Sequence, residues 1–332
     1  LGHKKFHLSA QAEYLISPQS IKSVRMHRQD IRLYHLLVQD PRISYRELAE
    51  RTGVSLQAIH KQVQAMQEEG VLNGCIAMLS SSYLNATDVF VYGRTEGDIK
   101  ISEMVESLRQ DDRIGYVMYC TSGMVYVSGI LKRATEMDEF VEKVRRRCHM
   151  SKATLAIETM SRAGDMSPHR VLGDEVKLSP LDLRIVSAMR FDARKTYQQL
   201  AEEVGVTART VRQRVERMLE EGTVLLVLLF DSTRGQSISS VIHVHFKDGV
   251  DRNAFGAEMM NEHQDEVLFY RSYANIPDMI VIATNHEKIG ELYQMTEMLE
   301  KDKRVRSVQP DIVLSAWGME TWRDRVLPPP GK

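Results

Sequence analysis

Two stretches of this chain carry hydrogen-bond donors at helical spacing, and the chemistry they suit is recognition of nucleobase edges and phosphates. Residues 56–69 hold Gln57, Lys61 and Gln64 on one side of a helical projection, with His60 and Gln62 on its flanks. Residues 208–221 hold Arg209, Gln213, Glu216 and Arg217, flanked by Arg212 and Arg214, with Thr210 in the first turn. Opposite them run Ile59, Val63 and Met66, and Val211, Val215 and Met218, at spacings of four and three, so that face packs inward. Arginine, lysine and glutamine carry the donors that reach guanine and adenine in the major groove, and nearby arginines clamp phosphates. A solvated helix face has a similar composition; the recurrence of one pattern in two places is what favours a pair of recognition helices. The expected DNA-contacting residues are Gln57, His60, Lys61 and Gln64 in the first stretch and Arg209, Thr210, Arg212, Gln213, Arg214 and Arg217 in the second. One lysine against two glutamates gives 56–69 a net charge of −1, whereas four arginines against three glutamates give 208–221 a net +1. The second helix is therefore expected to supply more of the phosphate-dependent affinity.

Other reactive residue types occur in weaker patterns. His243 and His245 lie two apart on an expected strand, which aims both imidazoles at one face, but no third ligand accompanies them. A hydrogen-bonded pair at a sheet interface is expected there, and no metal. Cys75, Cys120 and Cys148 are far apart and match neither a disulfide framework nor zinc-ligand spacing, so they read as small buried hydrophobes. The arginine run at 145–147 reads as a charged helix surface, and Met295 and Met298 as core filler. No nucleophile elbow, phosphate loop or paired metal motif is present, so the chain is read as a non-enzyme with no cofactor.

The elements that position the donors come from a duplication. An offset of 152 residues aligns 30–70 with 182–222 without a gap, with 15 identities in 41 positions. The copies read DIRLYHLLVQDPRISYRELAERTGVSLQAIHKQVQAMQEEG and DLRIVSAMRFDARKTYQQLAEEVGVTARTVRQRVERMLEEG. In each, Gly53 or Gly205 can take the left-handed conformation that ends one helix, and Ser55 or Thr207 can cap the next. Ala49 and Ala201 leave room for close helix crossing. After each helix-turn-helix comes a β-rich segment in βαββαβ order, which folds into an antiparallel sheet with both helices on one face and leaves the other face needing a partner. The expected fold class is α+β, two tandem units, each a winged helix-turn-helix followed by a ferredoxin-like domain. The expected boundaries are 1–25 for an N-terminal extension, 26–80 and 84–162 for the first unit, 163–177 for a linker, 178–231 and 238–322 for the second unit, and 323–332 for a tail. Both ends are expected to be peripheral, the closing PPPGK because its prolines deny helix and ladder bonds.

Bulk composition agrees with a multidomain globular chain: 332 residues, 43% hydrophobic and 27% charged, too many for one typical core. No apolar run approaches the roughly 20 residues needed to span a bilayer, and the polar opening residues hold no signal core, so no membrane contact and a cytoplasmic location are expected. A net charge of −1 gives no long-range field toward nucleic acid, so DNA binding must come from a local patch.

The stretches from the first-helix aspartate through LAERTGVS and LAEEVGVT to EEG resemble the Lrp/AsnC (feast/famine) family of prokaryotic transcription regulators. The resemblance covers about 26–160 and 178–317. It implies a helix-turn-helix ahead of a ferredoxin-like domain that dimerises and often binds amino acids, with double-stranded DNA as partner and further homo-oligomers common. Members usually hold one unit per chain, so this chain resembles a fused pair whose exposed sheet faces pack on each other. Arg214 matches an arginine the family often places before the buried valine of the recognition helix, where the first copy has Gln62. The family's Gly-x-x-Asp effector turn is split: Gly123 is followed by Tyr126 in the first copy, and Asn275 by Asp278 in the second. Gly123, Asn275 and Asp278 are the positions a small-molecule effector would use. Two alternatives stay open, a tetrapyrrole-acting enzyme resembling the siroheme decarboxylases, which are built on similar paired units, and a regulatory adaptor that does not bind DNA.

Overall fold

The computed structural model describes residues 28–158, 176–234 and 237–329. The N-terminal extension and most of the interdomain linker lie outside the described residues. Three helices open the first copy, α1 (Arg28–Gln39), α2 (Tyr45–Thr52) and α3 (Leu56–Glu68), followed by β1 (Leu72–Leu79), β2 (Thr87–Arg94), α4 (Ile101–Arg109), β3 (Ile114–Cys120), β4 (Met124–Leu131), α5 (Met137–Arg147) and β5 (Thr154–Ile157). The second copy repeats the order as α6 (Pro180–Met189), α7 (Tyr197–Val204), α8 (Ala208–Glu220), β6 (Val224–Phe230), β7 (Ile238–Phe246), α9 (Arg252–Glu262), β8 (Val267–Tyr273), β9 (Ile276–His286), α10 (Ile289–Lys301) and β10 (Val305–Gly318). Local chemistry sets the helix starts. Ser179 and Asp182 form a capping box with Pro180 in the first turn, and Thr196 and Gln199 form another, so the first orphan N–H groups are satisfied before any tertiary contact exists.

The βαββαβ reading holds in both copies, and each copy's four strands lie in the order fourth, first, third, second. These two half-sheets are not separate. The strands run β5-β2-β4-β3-β10-β7-β9-β8 as one sheet, with β3 of the first copy paired antiparallel to β10 of the second. The two outer strands meet as well: Glu158 bridges Tyr273, and the Ala274 N–H donates to the Ile157 carbonyl at 2.8 Å. The helix-free faces enclose a cluster drawn from both copies, including Cys120, Tyr126, Ala156, Val241, Tyr273, Met279 and Val281. The other two faces carry the helices over separate cores, one lined by Val89, Leu108 and Phe140 and one by Ile242, Phe255 and Leu292.

The strand after each helix-turn-helix does not fold back into a wing of its own copy. β1 pairs antiparallel with β6 from Leu72 opposite Phe230 to Leu79 opposite Val224, so the copies share one two-stranded ribbon. Its side chains enter both helical cores. Leu228, with Leu268 and Ala283 of the second α+β domain, packs under the first helix-turn-helix. Cys75, Ala77 and Leu79, with Tyr83 and Leu84, pack under the second.

The C-terminal segment is less peripheral than its prolines suggest. Trp322 donates from its backbone N–H to the Asp112 carbonyl and from its ring to the Ile130 carbonyl, both at 2.8 Å, and Leu327 is buried in the second helical core. Proline removes backbone donors but not the apolar side chains beside it, and the Ser187 hydroxyl donates to the Pro328 carbonyl at 2.6 Å. Met295 is core filler, as read from the sequence, whereas Met298 is 36% exposed.

Gly256 sits inside α9, where glycine costs about 1 kcal/mol relative to alanine. The reason is contact: a Cβ there would stand 2.4 Å from Cδ2 of the buried Tyr270 ring. Gly256→Ala is expected to lower stability by about 1–2 kcal/mol in urea unfolding, overpacking outweighing the better helix propensity; a stabilised variant would contradict this packing.

Candidate nucleic-acid interface

The turn between the helices of each motif forms as its residues dictate. Gly53 and Gly205 adopt φ of 72° and 73°, and their N–H groups bond the Ala49 and Ala201 carbonyls. Ser55 and Thr207 accept from the N–H groups of Ala58 and Thr210, starting α3 and α8. Ile59, Val63 and Met66, and Val211, Val215 and Met218, are all buried, which turns the opposite faces of α3 and α8 outward.

The residues read as DNA contacts fall into three groups. Gln57, Lys61, Arg209 and Gln213 are exposed, and no hydrogen bond or ion pair holds them among the described residues. A second group is exposed but engaged along its own motif. Gln64 donates to Glu68 at 2.8 Å, Arg212 pairs with Glu216 at 2.7 Å, and the His60 ring meets Tyr45 edge-on at 4.7 Å. Thr210 lies half-buried with its hydroxyl 2.9 Å from that of the cap Thr207. The third group is turned toward the body. Arg214 donates to Asp182 at 2.9 Å and to Ser179 at 3.0 Å, and Arg217 donates to the other Asp182 oxygen at 2.8 Å.

Asp182 is therefore a hub, at the start of α6 and with a side chain only 1% exposed. Burial opposes its ionisation, but the Ser179 hydroxyl and N–H, Arg214 and Arg217 together hold its carboxyl below the ordinary aspartate value of 3.8. The first copy keeps the architecture with an amide in place of the Arg214 guanidinium: Gln62 donates to Asp30 at 2.7 Å. Position 62 and its counterpart 214 thus tie each recognition helix to the first helix of its own motif. Sequence reasoning missed Asp30 and Asp182 as anchors, although both are aspartates at the same place in the two copies.

The positions expected from the sequence to hold an effector lie at or near the join between the α+β domains. Gly123, at φ 81°, ends a turn in which the Thr121 hydroxyl and the Ser122 N–H donate to Asp311 of β10 at 2.9 and 3.1 Å. Asn275 accepts from the Ile157 N–H and donates to the Leu155 carbonyl, each at 2.8 Å. Asp278 pairs with Arg306 at 2.5 Å. Tyr126, where the family has aspartate, is buried with its hydroxyl 2.8 Å from Nε2 of His243. Burial, reinforced by the neighbouring His245, pushes the His243 imidazole down to about 4. His243 thus bonds across the seam to a tyrosine of the other copy, not to His245. Among the described residues no group of three histidine, cysteine, aspartate or glutamate side chains is placed to hold a metal ion. All three cysteines are buried and free, and burial pushes the thiols of Cys75 and Cys148 up to about 12. Two of the arginines at 145–147 pair with Glu142 on their own helix, Arg145 at 2.8 Å and Arg146 at 2.5 Å. No helix of the described residues is long and apolar enough to cross a membrane.

Comparison with known proteins places both motifs. Residues 26–73 match the winged helix-turn-helix DNA-binding family, and residues 178–219 match the AsnC-type helix-turn-helix domain. An HTH-type transcriptional regulator of Pyrococcus abyssi is 24% identical over 152 residues, covering 46% of this chain and 97% of that protein. The HTH-type transcriptional regulator LrpA of Pyrococcus horikoshii is 26% identical over 91 residues, 27% of this chain and 64% of LrpA. The crystal structure of the siroheme decarboxylase NirDL shares the fold over 89% of this chain and 96% of its own, with a TM-score of 0.55 at 11% identity.

Asp182→Asn should destabilise the chain by about 2 kcal/mol at pH 7, a discounted figure because Arg214 and Arg217 are 33% and 44% exposed. A carboxyl depressed on folding stabilises above its unfolded pKa and loses that contribution as pH falls through the folded value. The gap between wild type and variant should therefore be full at pH 7 and shrink as pH drops below 3.8. Unfolding curves giving a gap that does not change with pH would remove Asp182 from its role as anchor.

Proposed function

Because the chain belongs to the Lrp/AsnC family of transcription regulators, in a tandem-duplicated form, we propose that it engages one double-stranded operator with both helix-turn-helix units at once and reads sequence mainly through the second. The observation that carries this reading is the state of the outward donors. Gln57 and Lys61 on α3, and Arg209 and Gln213 on α8, are exposed and have no hydrogen bond or ion pair among the described residues, while Arg214 and Arg217 nearby are taken up by Asp182. Arginine and glutamine at such positions can each make a bidentate contact to a base, and lysine a point contact to base or phosphate. Arg209 lies in the first turn of α8, the end of a recognition helix that enters the groove. Arg212, paired only along its own helix at the surface, remains available to a phosphate.

The proposal extends to regulation. A small molecule bound at the turn carrying Asn275 and Asp278 would compete with Leu155 and Ile157 for Asn275 and with Arg306 for Asp278. Such a ligand would act on the contact between the two α+β domains, and through it on the helical domains that pack against them.

A second reading is favoured by the whole-chain likeness in fold to NirDL, a tetrapyrrole-acting enzyme. Fold alone does not carry chemistry. Here the helix-free faces of the two half-sheets meet in a cluster that includes Tyr126, Tyr273, Met279 and Val281, all buried. Visible absorption of the purified chain mixed with an iron tetrapyrrole tests this reading, which requires a bound spectrum.

For the regulator reading, the test is genome-wide capture of DNA fragments followed by salt titration on the best fragment. Arg209→Ala is expected to weaken binding by about 5–100-fold, the range of one bidentate base contact, and Lys61→Ala to weaken it less. Removing the Arg212 phosphate contact should make the slope of log K against log salt shallower by about one. Equal binding of wild type and Arg209→Ala to every fragment would overturn the assignment of the second helix as main reader.

A further inference from the structure

The loops ahead of α2 and α7 hold each other by a reciprocal pair of arginines. Arg42 donates to the carbonyls of Ala193 and Lys195, the latter at 2.8 Å. Arg194 donates to the carbonyls of Pro41 at 2.6 Å and Ile43 at 2.8 Å. The two arginines are 152 residues apart, the offset of the duplication, so each grips the other copy at the equivalent place. Their own backbones are braced alike, with the Arg42 N–H on Asp40 and the Arg194 N–H on Asp192, both at 2.9 Å. Each guanidinium also lies over a tyrosine of the other copy, Arg42 over Tyr197 at 4.6 Å and Arg194 over Tyr45 at 5.3 Å.

One of those tyrosines connects the clasp to a DNA-facing helix. Tyr45 meets His60 of α3 edge-on at 4.7 Å. A path of contacts therefore runs from α3 through His60 and Tyr45 to Arg194 of the other copy, and Arg42 over Tyr197 repeats its last step in the other direction. The other direct link between the two helical domains is the β1–β6 ribbon, which enters both helical cores but does not reach the loops ahead of α2 and α7 that the clasp joins. Guanidinium forks suit this task because they are planar, permanently charged and able to reach two carbonyls while stacking on a ring; lysine has neither the fork nor the plane.

We propose that Arg42 and Arg194 are positioning residues that set the distance and angle between α3 and α8, so that the chain selects operators with one spacing between half-sites. The proposal rests on the DNA-binding reading above. Half-site spacing in helix-turn-helix dimers follows from the separation of the recognition helices, and a rigid separation rejects sites whose halves are rotated round the duplex.

The test uses the full chain and a duplex library in which two selected half-sites are separated by every spacing over one helical turn. Wild type is expected to enrich one spacing and to lose at least tenfold in affinity when half a turn is inserted. The Arg42→Lys, Arg194→Lys double variant is expected to keep the half-site sequence and the salt slope but to bind all spacings within about threefold. A variant with wild-type spacing preference would overturn the proposal while leaving the DNA-binding reading intact; a wild type that enriches no sequence would overturn both. A second measurement needs no DNA: spin labels at Gln57→Cys and Arg209→Cys, equivalent exposed positions, report the distance between helices in the free chain. A narrow distribution that broadens in the lysine double variant supports the clasp, and an unchanged distribution overturns it.

Discussion

A four-stranded antiparallel sheet with both helices on one side has two open edges and one bare apolar face, and the rest of this structure depends on how those are closed. Unpaired edge strands and a naked sheet face invite association with any complementary chain. Here each closure comes from the other copy: β10 on β3, the start of β8's turn on the end of β5, and the two bare faces on each other. The pairing register then fixes everything attached to the strands. Because Leu268 and Ala283 of the second α+β domain pack under the first helix-turn-helix, the seam between the sheets also seats a helical domain.

The tight-turn glycines, caps and inward stripes of the recognition helices were legible from residue type because they are local: a left-handed glycine, a hydroxyl cap and a period of 3.6 need no knowledge of distant chain. The strand order within each α+β domain was legible for a similar reason, since right-handed crossovers leave few alternatives. Partnerships between copies were not. Nothing in LNGCIAML says that it pairs with VLLVLLF in place of closing its own wing, since both are short apolar runs suited to any ladder. Nor does the proline-rich end say that Leu327 reaches the second helical core, because docking of a single side chain leaves no periodic trace.

The basic residues of the helical domains illustrate the same limit at the level of single side chains. Helical projection puts Arg209 and Arg217 on one face, yet Arg217 bends back to Asp182 while Arg209 has no hydrogen bond or ion pair among the described residues. Arg42 and Arg194 carry no periodic signal because they sit in loops ahead of α2 and α7. The signal was present in the duplication itself, as an aspartate-x-arginine that reads DPR in one copy and DAR in the other. Two copies that retain an arginine in a loop, amid divergence at most surrounding positions, report a contact that both halves need.

Fusion of the halves also lets them diverge where identical chains could not. The anchor of the first recognition helix is an amide on a carboxylate, Gln62 on Asp30, and that of the second is a pair of guanidiniums, Arg214 and Arg217 on Asp182. The outward donors differ as well, Gln57 and Lys61 against Arg209 and Gln213. In a pair of identical chains any change to one reading face is imposed on both, and the preferred site remains a palindrome. In one duplicated chain the geometry stays symmetric, held by reciprocal contacts that neither half can lose alone, while the chemistry of the two faces is free to separate. On the proposed function, such a frame would suit an operator whose halves are spaced like a palindrome but do not share its sequence.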